Sequence, residues 1–299
     1  MYNKHSALDI VAESWELSAH KDGESIVADG PYSGLTLTQY LNAIGNSALG
    51  TNAKNFDYFP ILIKLIDARS ALSVQVHPDD SYALEHEGEY GKTEMWYLVG
   101  ADRDAELIMG FNKDTDKSEY LTALHNHTLP VLLNTEKVEK GDCFFIPAGT
   151  VHAICKGCYI AEIQQTSDIT YRIYDYDRRD KNGNPRELHT ELATDVINFC
   201  EQKQHSIHYH QHENHTEELV SCNYFTTNYL KFDKEVEKDY IELDSFVIYM
   251  CLEGNFTLVY DVDKTVKVNK GETILVPAIL KNLFLIPETE AEILEIYIR

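Results

Sequence analysis

The sequence predicts a mainly β protein that consists of two related β-domains with a few peripheral helices. Most apolar runs are short, rich in aromatic and β-branched residues, and bounded by Gly, Pro, Asp or Asn, which is the pattern of strands joined by turns. In addition, "VEKGDCFFIPA" (138–148) has a counterpart in "VNKGETILVPA" (268–278). One turn–strand unit therefore occurs twice, which indicates a repeated domain. Many short strands with turn signals are typical of β-sandwiches and β-barrels.

The strands form two sets, one in the N-terminal two thirds of the chain and one in the C-terminal third. The first set is "YFPILIKLID", "ALSVQVH", "TEMWYLVG", "AELIMGF", "DCFFIPAG", "YIAEIQQT" and "ITYRIYDY". The second set is "NYFTTNYLKF", "SFVIYMCLEGNFTLVYD", "ETILVPA" and "AEILEIYI". Helical spacing and caps occur in "TLTQYLNAIGNSAL", "PDDSYALEHEG" and "TELATDVINFCEQ". The last of these predicts a helix face formed by Leu192, Val196, Ile197 and Cys200.

The predicted boundaries divide the chain into a first domain at 1–190, a connection at 191–220 and a second domain at 221–299. The connection begins with a helical pattern and continues with the polar run "HSIHYHQHENH", which contains five histidines between His205 and His215. Alternating histidines can bind a metal ion. No carboxylate or cysteine in the run has a recognised ligand spacing, so a solvated linker is the simpler interpretation.

Composition excludes several classes of protein. The 299 residues carry a formal net charge of −23, which opposes binding to nucleic acid or to anionic lipid. No apolar run approaches the roughly 20 residues that span a bilayer. The N-terminus lacks a secretory signal pattern, and six scattered cysteines do not form a disulfide framework. We therefore expect a cytoplasmic protein that contacts neither nucleic acid nor membrane.

The segment "LSVQVHPDD" (72–80) predicts a strand with one apolar and one polar face. Side chains alternate along a strand, so Leu72, Val74 and Val76 share one face. Ser73, Gln75 and His77 share the other face. The apolar face is explained by a core, whereas the polar face needs a separate explanation.

Two further segments bring metal-binding side chain types to strands of the same domain. The strand "KTEMWYLV" places Lys92, Glu94 and Trp96 on one face, where an enclosed carboxylate requires a cationic partner. A histidine also follows the turn in "IPAGTVHAI". A lone histidine is most simply a hydrogen-bonded core residue, but imidazole, carboxylate and amide groups together in a β-barrel suit zinc. The four candidate ligands are Gln75, His77, Glu94 and His152.

The same stretches resemble the signatures of type I mannose-6-phosphate isomerases. The resemblance rests on "LSVQVHPDD", "GKTEMWYL", "GDCFFIPAGTVHAI" and "YRIYDYDR". The N-terminal "ESWELSAHKDGESIVADGPYSGLTL" is similar to the opening of the short bacterial form. The resemblance covers most of residues 10–195 and weakens in the C-terminal third. It implies two cupin (jelly-roll) β-barrels, one divalent metal ion per chain, usually zinc, and interconversion of mannose 6-phosphate and fructose 6-phosphate through an enediol.

The resemblance also implies roles for individual residues, and its metal ligands are the four residues named above. The implied catalytic residues are Lys64, Glu162 and Arg172. The implied substrate-binding residues are Trp15, Ser73, Lys92, Asp168 and Arg178. Arg178 stands where the family has a lysine, so the sequence departs from the family pattern at this position. The general base stays open between Lys64 and Glu162, and the alternative for Arg172 is an ion pair with Asp175 or Asp177.

Two other functions compete with the isomerase. An oxygen-using cupin enzyme is disfavoured because Gln75 takes the first ligand position and Glu94 is distant from His77 in sequence. The non-catalytic alternative is a sugar-binding or regulatory double-cupin protein. For the second domain we expect no metal, because Asn282 stands where the first domain has His152. A small sugar phosphate is the expected partner, and the expected assembly is a monomer or a homodimer.

Overall fold

The computed structural model describes residues 4, 11, 13–201, 206–261 and 264–299, and it is mainly β. The prediction of this fold class is confirmed. The strands are β1 (Glu13–Leu17), β2 (Ile61–Asp67), β3 (Val74–Val76), β4 (Glu94–Ala101), β5 (Glu106–Phe111), β6 (Leu133–Lys137), β7 (Cys143–Ile146), β8 (His152–Ile154), β9 (Cys158–Gln165), β10 (Tyr171–Tyr174), β11 (Thr216–Ser221), β12 (Thr226–Phe232), β13 (Val236–Asp239), β14 (Val247–Tyr260), β15 (Lys264–Asn269), β16 (Thr273–Val276) and β17 (Asn282–Tyr297).

Four short α-helices accompany the strands in the described part of the chain. They are α1 (Leu37–Ile44), α2 (Asp80–His86), α3 (Lys117–His125) and α4 (Thr190–Val196). Side chains cap three of them: Thr36 forms a capping box on α1, and Asp79 and Asp116 accept backbone N–H groups at the starts of α2 and α3. None of these described helices has the length and apolar character needed to cross a membrane.

The helix predictions need two corrections. The sequence did not predict α3, whose apolar positions are too few for a clear stripe. The predicted face of α4 is wrong at its C-terminal end, because the helix ends at Val196 and Ile197 adopts an extended conformation. Cys200 therefore lies beyond the helix and is exposed, whereas Ile197 is still buried in the core.

The chain forms two compact units. The first unit contains Lys64–Ile207 with residues 13 and 14, and the second contains Trp15–Ile63 and His208–Arg299. This grouping differs from the predicted boundaries at 190 and 220 in two respects: the division at 207/208 lies inside the predicted connection, and most of the described N-terminal segment belongs by contact to the C-terminal unit. The predicted boundaries used the internal repeat and the local pattern between its two copies, which carry no information on such distant contacts.

Two five-stranded sheets position the side chains of the first unit. Their strand orders are β1-β2-β9-β4-β7 and β10-β3-β8-β5-β6. Alternation along the strands gives each sheet an apolar face, as the fully buried Val74 and Val76 show on either side of Gln75. Buried aromatic and aliphatic residues from both sheets form the cores of this unit.

The second unit contains one seven-stranded antiparallel sheet, and its register reveals the internal repeat. In the first unit β4 pairs with β7 so that Glu94 faces Ile146, and in the second β14 pairs with β16 so that Val247 faces Val276. Ile146 and Val276 occupy the same position of the repeated "K-G-(D/E)" motif. Val247 is therefore the structural counterpart of Glu94.

Candidate active site

The polar face of β3 supplies the first part of the site. Antiparallel register places Gln75 directly opposite His152 of β8 on one side and opposite Arg172 of β10 on the other. Residues opposite each other in a sheet point to the same face, so these three side chains form a row across three strands. His77 follows β3 immediately and is buried.

His77, Glu94 and His152 converge on one buried point. Their ligating atoms all lie within 4.8 Å of one another, and within the described residues this is the group of His, Cys, Asp or Glu side chains that could hold a metal ion. His77 Nε2 lies 3.6 Å from Glu94 Oε2, and His152 Nε2 lies 3.4 Å from Glu94 Oε1. The Gln75 amide nitrogen is 3.3 Å from His152 Nε2, which puts a fourth side chain at the edge of the group.

The Nδ1 hydrogen bonds of both imidazoles leave a lone pair on Nε2 that could bind a cation. Nδ1 of His77 donates to the Ile169 carbonyl oxygen, and Nδ1 of His152 donates to that of Thr150, each over 2.8 Å. A proton on Nδ1 leaves a lone pair on Nε2, which is the arrangement found for metal-ligating histidines. His77 Nε2 and both carboxylate oxygens of Glu94 are buried and accept no hydrogen bond of good geometry. Unsatisfied buried lone pairs around one point fit a bound cation.

The electrostatics agree with this geometry. Burial, together with the nearby Lys92 ammonium, lowers the pKa of His152 to about 4 and that of His77 well below its ordinary value. Both rings are thus neutral near pH 7, as metal ligands must be. Burial and the charge of Glu162 raise the pKa of Glu94 to about 7, even though Lys92 Nζ lies 3.2 Å from Glu94 Oε2. A divalent cation would relieve the cost of this buried carboxylate.

Lys64 forms a second cluster of charged groups in the same unit. Its ammonium is buried and lies 3.6 Å from Glu162, 3.7 Å from Glu13 and 3.9 Å from Asp168. Half of the Asp168 side chain is exposed, so this cluster reaches solvent on one side. Burial acts to raise the pKa of Glu162, but the positive charges of Lys92 and Lys64 outweigh burial and hold that pKa below its ordinary value.

Arg172 is oriented by contacts on two sides. Its Nε donates to the hydroxyl of the buried Ser73 over 3.2 Å, and its Nη1 donates to the Glu187 carbonyl oxygen over 2.9 Å. Neither bond is to a carboxylate, and the alternative partner Asp175 instead accepts bonds from Arg178 and Arg186. The guanidinium therefore keeps its charge available beside the row formed by Gln75 and His152.

Arg178 is engaged within the protein. Two of its nitrogens donate to the Asp175 carboxylate and Nη1 donates to the Ala71 carbonyl oxygen over 2.6 Å. Arg186 donates to the same carboxylate. This clamp ties the segment after β10 to the segment before β3. The predicted role of Arg178 in substrate binding stays a prediction.

Trp15 belongs by its contacts to the second unit, where its ring packs edge-on against His20 with centroids 5.6 Å apart. Its predicted contact with the substrate also stays a prediction.

The structure adds three residues that sequence reasoning missed. Glu13 reaches Lys64, the indole N–H of Trp96 donates to Glu162 over 2.9 Å, and Gln164 lies opposite Glu94 across β9 and β4. Gln164 is fully buried and its Oε1 has no hydrogen-bond partner. Alternation in "YIAEIQQT" already puts Glu162 and Gln164 on one strand face, so only the contacts of Glu13 and Trp96 lacked a local signal.

Comparisons with known proteins agree with the sequence motifs. Residues 5–128 match the model of the catalytic domain of type I phosphomannose isomerase. The chain is 38% identical over 272 residues to a mannose-6-phosphate isomerase of Bacillus subtilis, covering 89% of this chain and 83% of that one. The chain belongs to the type I phosphomannose isomerases.

Further relatives in this family extend the match. The chain is 47% identical over 189 residues to a mannose-6-phosphate isomerase of Streptococcus mutans. These residues cover 63% of this chain and 58% of that protein. A crystal structure of the mannose 6-phosphate isomerase from Bacillus subtilis superposes with a TM-score of 0.88 at 35% identity and covers 99% of this chain and 92% of that one. The match supports the predicted cupin fold.

The histidines of the polar connection form no metal-binding group of their own within the described residues. His205 lies outside the described residues. His212 Nδ1 contacts Glu217, and the rings of His210 and His212 lie 5.7 Å apart in exposed positions. In the described part of the run, no three of these side chains converge as His77, Glu94 and His152 do.

Proposed function

We propose that this chain is a metal-dependent isomerase that interconverts mannose 6-phosphate and fructose 6-phosphate. The observation that supports this best is the convergence of the unsatisfied lone pairs of His77 and Glu94 beside His152. Family membership supports the substrate and the reaction.

We propose Zn²⁺ as the ion, held by His77, Glu94 and His152 with Gln75 as a fourth ligand. Two imidazoles and a carboxylate suit zinc, and rotation of the Gln75 amide would present its oxygen to the ion. A single carboxylate leaves the site with net positive charge, which favours an anionic substrate in an otherwise acidic protein. When bound, such an ion polarises the sugar carbonyl and stabilises negative charge that develops on oxygen.

The proton transfer at carbon is assigned to a residue of the chain itself. Going from aldose to ketose, a proton leaves C2 and a proton is added at C1, while the O2 hydroxyl loses its proton and O1 gains one. Glu162 is the proposed base at carbon, because its lowered pKa keeps it ionised near neutral pH and therefore able to accept a proton. Lys64 lies beside it and is assigned to stabilising charge and orienting the sugar hydroxyls.

The remaining predicted residues are assigned to binding. Arg172 has a planar, permanently charged guanidinium that suits a phosphate or a developing oxyanion, and Ser73 fixes its direction. Lys92, Asp168, Arg178 and Trp15 are retained as proposed substrate-binding residues. All six cysteines are free thiols, which fits a reducing compartment such as the cytoplasm. The assembly is proposed to be a monomer or a homodimer.

A coupled assay of fructose 6-phosphate formation from mannose 6-phosphate tests the proposal. Metal-replete protein should be active, should lose activity on chelation, and should regain it when Zn²⁺ is added back. His152→Ala should be inactive, whereas His125→Ala, which changes an exposed histidine of α3, should match the wild type. Absence of fructose 6-phosphate with metal-replete wild-type protein would refute the proposed function.

A further inference from the structure

Trp96 connects two parts of the site that the sequence treats separately. The residue is completely buried in β4, directly opposite Glu162 of β9. Its indole Nε1–H donates to Glu162 Oε2 over 2.9 Å. The edge of its ring also packs against the His152 imidazole, with centroids 5.3 Å apart and planes at 78°. One side chain therefore contacts both the proposed base and a proposed metal ligand.

The hydrogen bond from Trp96 determines which oxygen of Glu162 faces Lys64. With Oε2 occupied by the indole N–H, Oε1 is the oxygen that faces Lys64, at 3.6 Å. A carboxylate held at one oxygen loses most of its rotational freedom about the last side-chain bond. In a buried site, a hydrogen bond to a charged acceptor is stronger than one between neutral groups.

The second unit retains the same pairing without the metal ligands. Tyr249 is the counterpart of Trp96 and Glu295 that of Glu162, because Tyr249 faces Glu295 across β14 and β17 in the equivalent register. Here the aromatic residue reaches the carboxylate through a second hydroxyl: Tyr249 contacts Tyr240, and Tyr240 donates to Glu295. An aromatic donor set opposite a buried carboxylate is thus a feature of this strand pair in both units.

We infer that Trp96 is a positioning residue that holds the Glu162 carboxylate in its productive orientation through the indole N–H. The inference rests on the proposed function. The competing explanation is packing alone, since Trp96 is also part of the apolar core with Leu98 and Ile160. The two explanations make different predictions for a variant that keeps the ring volume but lacks the N–H. Positioning predicts a lower kcat, whereas packing alone predicts an unchanged kcat.

Two variants separate the N–H from the ring. Trp96→Phe removes the donor and part of the ring, and replacement of Trp96 by 3-benzothienylalanine, with sulfur in place of the N–H, removes the donor alone. We expect kcat to fall by about tenfold to a hundredfold in both, the scale of a lost hydrogen bond to a charged group or of a misplaced catalytic group. KM should stay within about threefold of the wild-type value. The metal content should stay close to the wild-type stoichiometry. Tyr97→Phe, on the opposite face of β4, is the matched control and should retain wild-type kcat.

A double-mutant cycle shows whether Trp96 acts through Glu162. Glu162→Gln should lower kcat, and adding Trp96→Phe to it should cause less than about a twofold further loss, because the group being positioned is already absent. Wild-type kcat in the benzothienyl protein, or multiplicative losses in the double variant, would overturn the inference and leave packing as the role of Trp96. If the wild type itself forms no fructose 6-phosphate, the proposed function fails instead, which the same assay distinguishes.

Discussion

Arg172 illustrates how single side chains are prepared for chemistry in this protein. Its guanidinium is held by an uncharged hydroxyl and a backbone carbonyl, so its positive charge is not neutralised by a direct carboxylate partner among its observed bonds. Asp175, the obvious competitor nearby, is occupied by Arg178 and Arg186. Arg178 and Arg186 therefore form ion pairs with Asp175, whereas Arg172 has no carboxylate among its observed hydrogen-bond partners.

We predict that Arg172→Ala lowers kcat/KM by at least about a hundredfold, the scale of losing one preorganised charge-stabilising group. Metal content should be unchanged, because Arg172 contacts none of the three converging ligands in the observed hydrogen bonds. Steady-state kinetics and elemental analysis of the purified variant measure both quantities. Arg179→Ala, which removes an exposed arginine whose Nη1 donates to Gly183, is the control and should be fully active. Wild-type turnover by Arg172→Ala would assign this residue to structure.

At the scale of elements, the function of each strand pair depends on its register. In the second unit Glu295 of β17 lies inside the apolar core, opposite Asn228 of β12. Asn228 donates to Glu295 over 2.8 Å, and the Lys238 ammonium lies 2.9 Å away. The carboxylate that matches the proposed base of the first unit is here enclosed by protein groups.

This buried network should make the stability of the second unit depend on pH. Burial would raise the pKa of Glu295, but Lys238 and the hydrogen bonds from Asn228 and Tyr240 outweigh burial and hold that pKa below its ordinary value of 4.5. The ionised carboxylate therefore stabilises the folded state above about pH 4.5, and this contribution is lost as the pH falls through the lower folded-state pKa.

We predict that Glu295→Gln lowers the free energy of unfolding at pH 7 by about 3 kcal/mol, because Lys238 is left buried without its charge partner. The variant should also lose less stability than the wild type between about pH 6 and pH 3, since its amide does not titrate. Urea unfolding at several pH values measures both effects. Glu242→Gln at an exposed position should stay within about 0.5 kcal/mol of the wild type. Equal pH dependence in Glu295→Gln and the wild type would contradict the network as its source.

At the scale of the whole molecule, two similar units have different interiors. The first unit has the buried Glu94 and His152 where the second has Val247, which is buried in an apolar core, and Asn282, which is exposed. A unit with a buried apolar residue in place of a ligand can fill its interior with side chains. The protein has a net charge of −23, so an anionic substrate must be attracted by local cations. The presence of the candidate metal ligands in the first unit therefore matters for substrate binding.

We predict one metal ion per chain, bound in the first unit. Elemental analysis of the metal-replete wild type should give a ratio near one, and His152→Ala should lose nearly all of the ion. Simultaneous replacement of His208, His210 and His212 by alanine should leave the ratio unchanged, because these exposed residues do not converge on a point in the described structure. Two ions per chain, or an ion retained after loss of both His77 and His152, would place metal binding in the histidine-rich connection.

The sequence alone determined the features that depend on neighbouring residues in the chain. Alternation along a strand assigned Gln75 and His77 to a polar face and put Glu94 on the same face as Trp96, because the two-residue period is a property of the local backbone. The repeated motif likewise predicted a second domain, and its Asn282 predicted the loss of a metal ligand there.

Tertiary structure alone decided which strands are neighbours and in what register. It brought Glu13 to Lys64 and Trp96 to Glu162, and it grouped residues 15–63 with the C-terminal unit. It also supplied the carbonyl groups of Thr150 and Ile169 that accept from Nδ1 and so leave a lone pair on Nε2 of each histidine. These contacts join residues far apart in the chain. They are decided by the packing of whole sheets, which no local period or composition encodes.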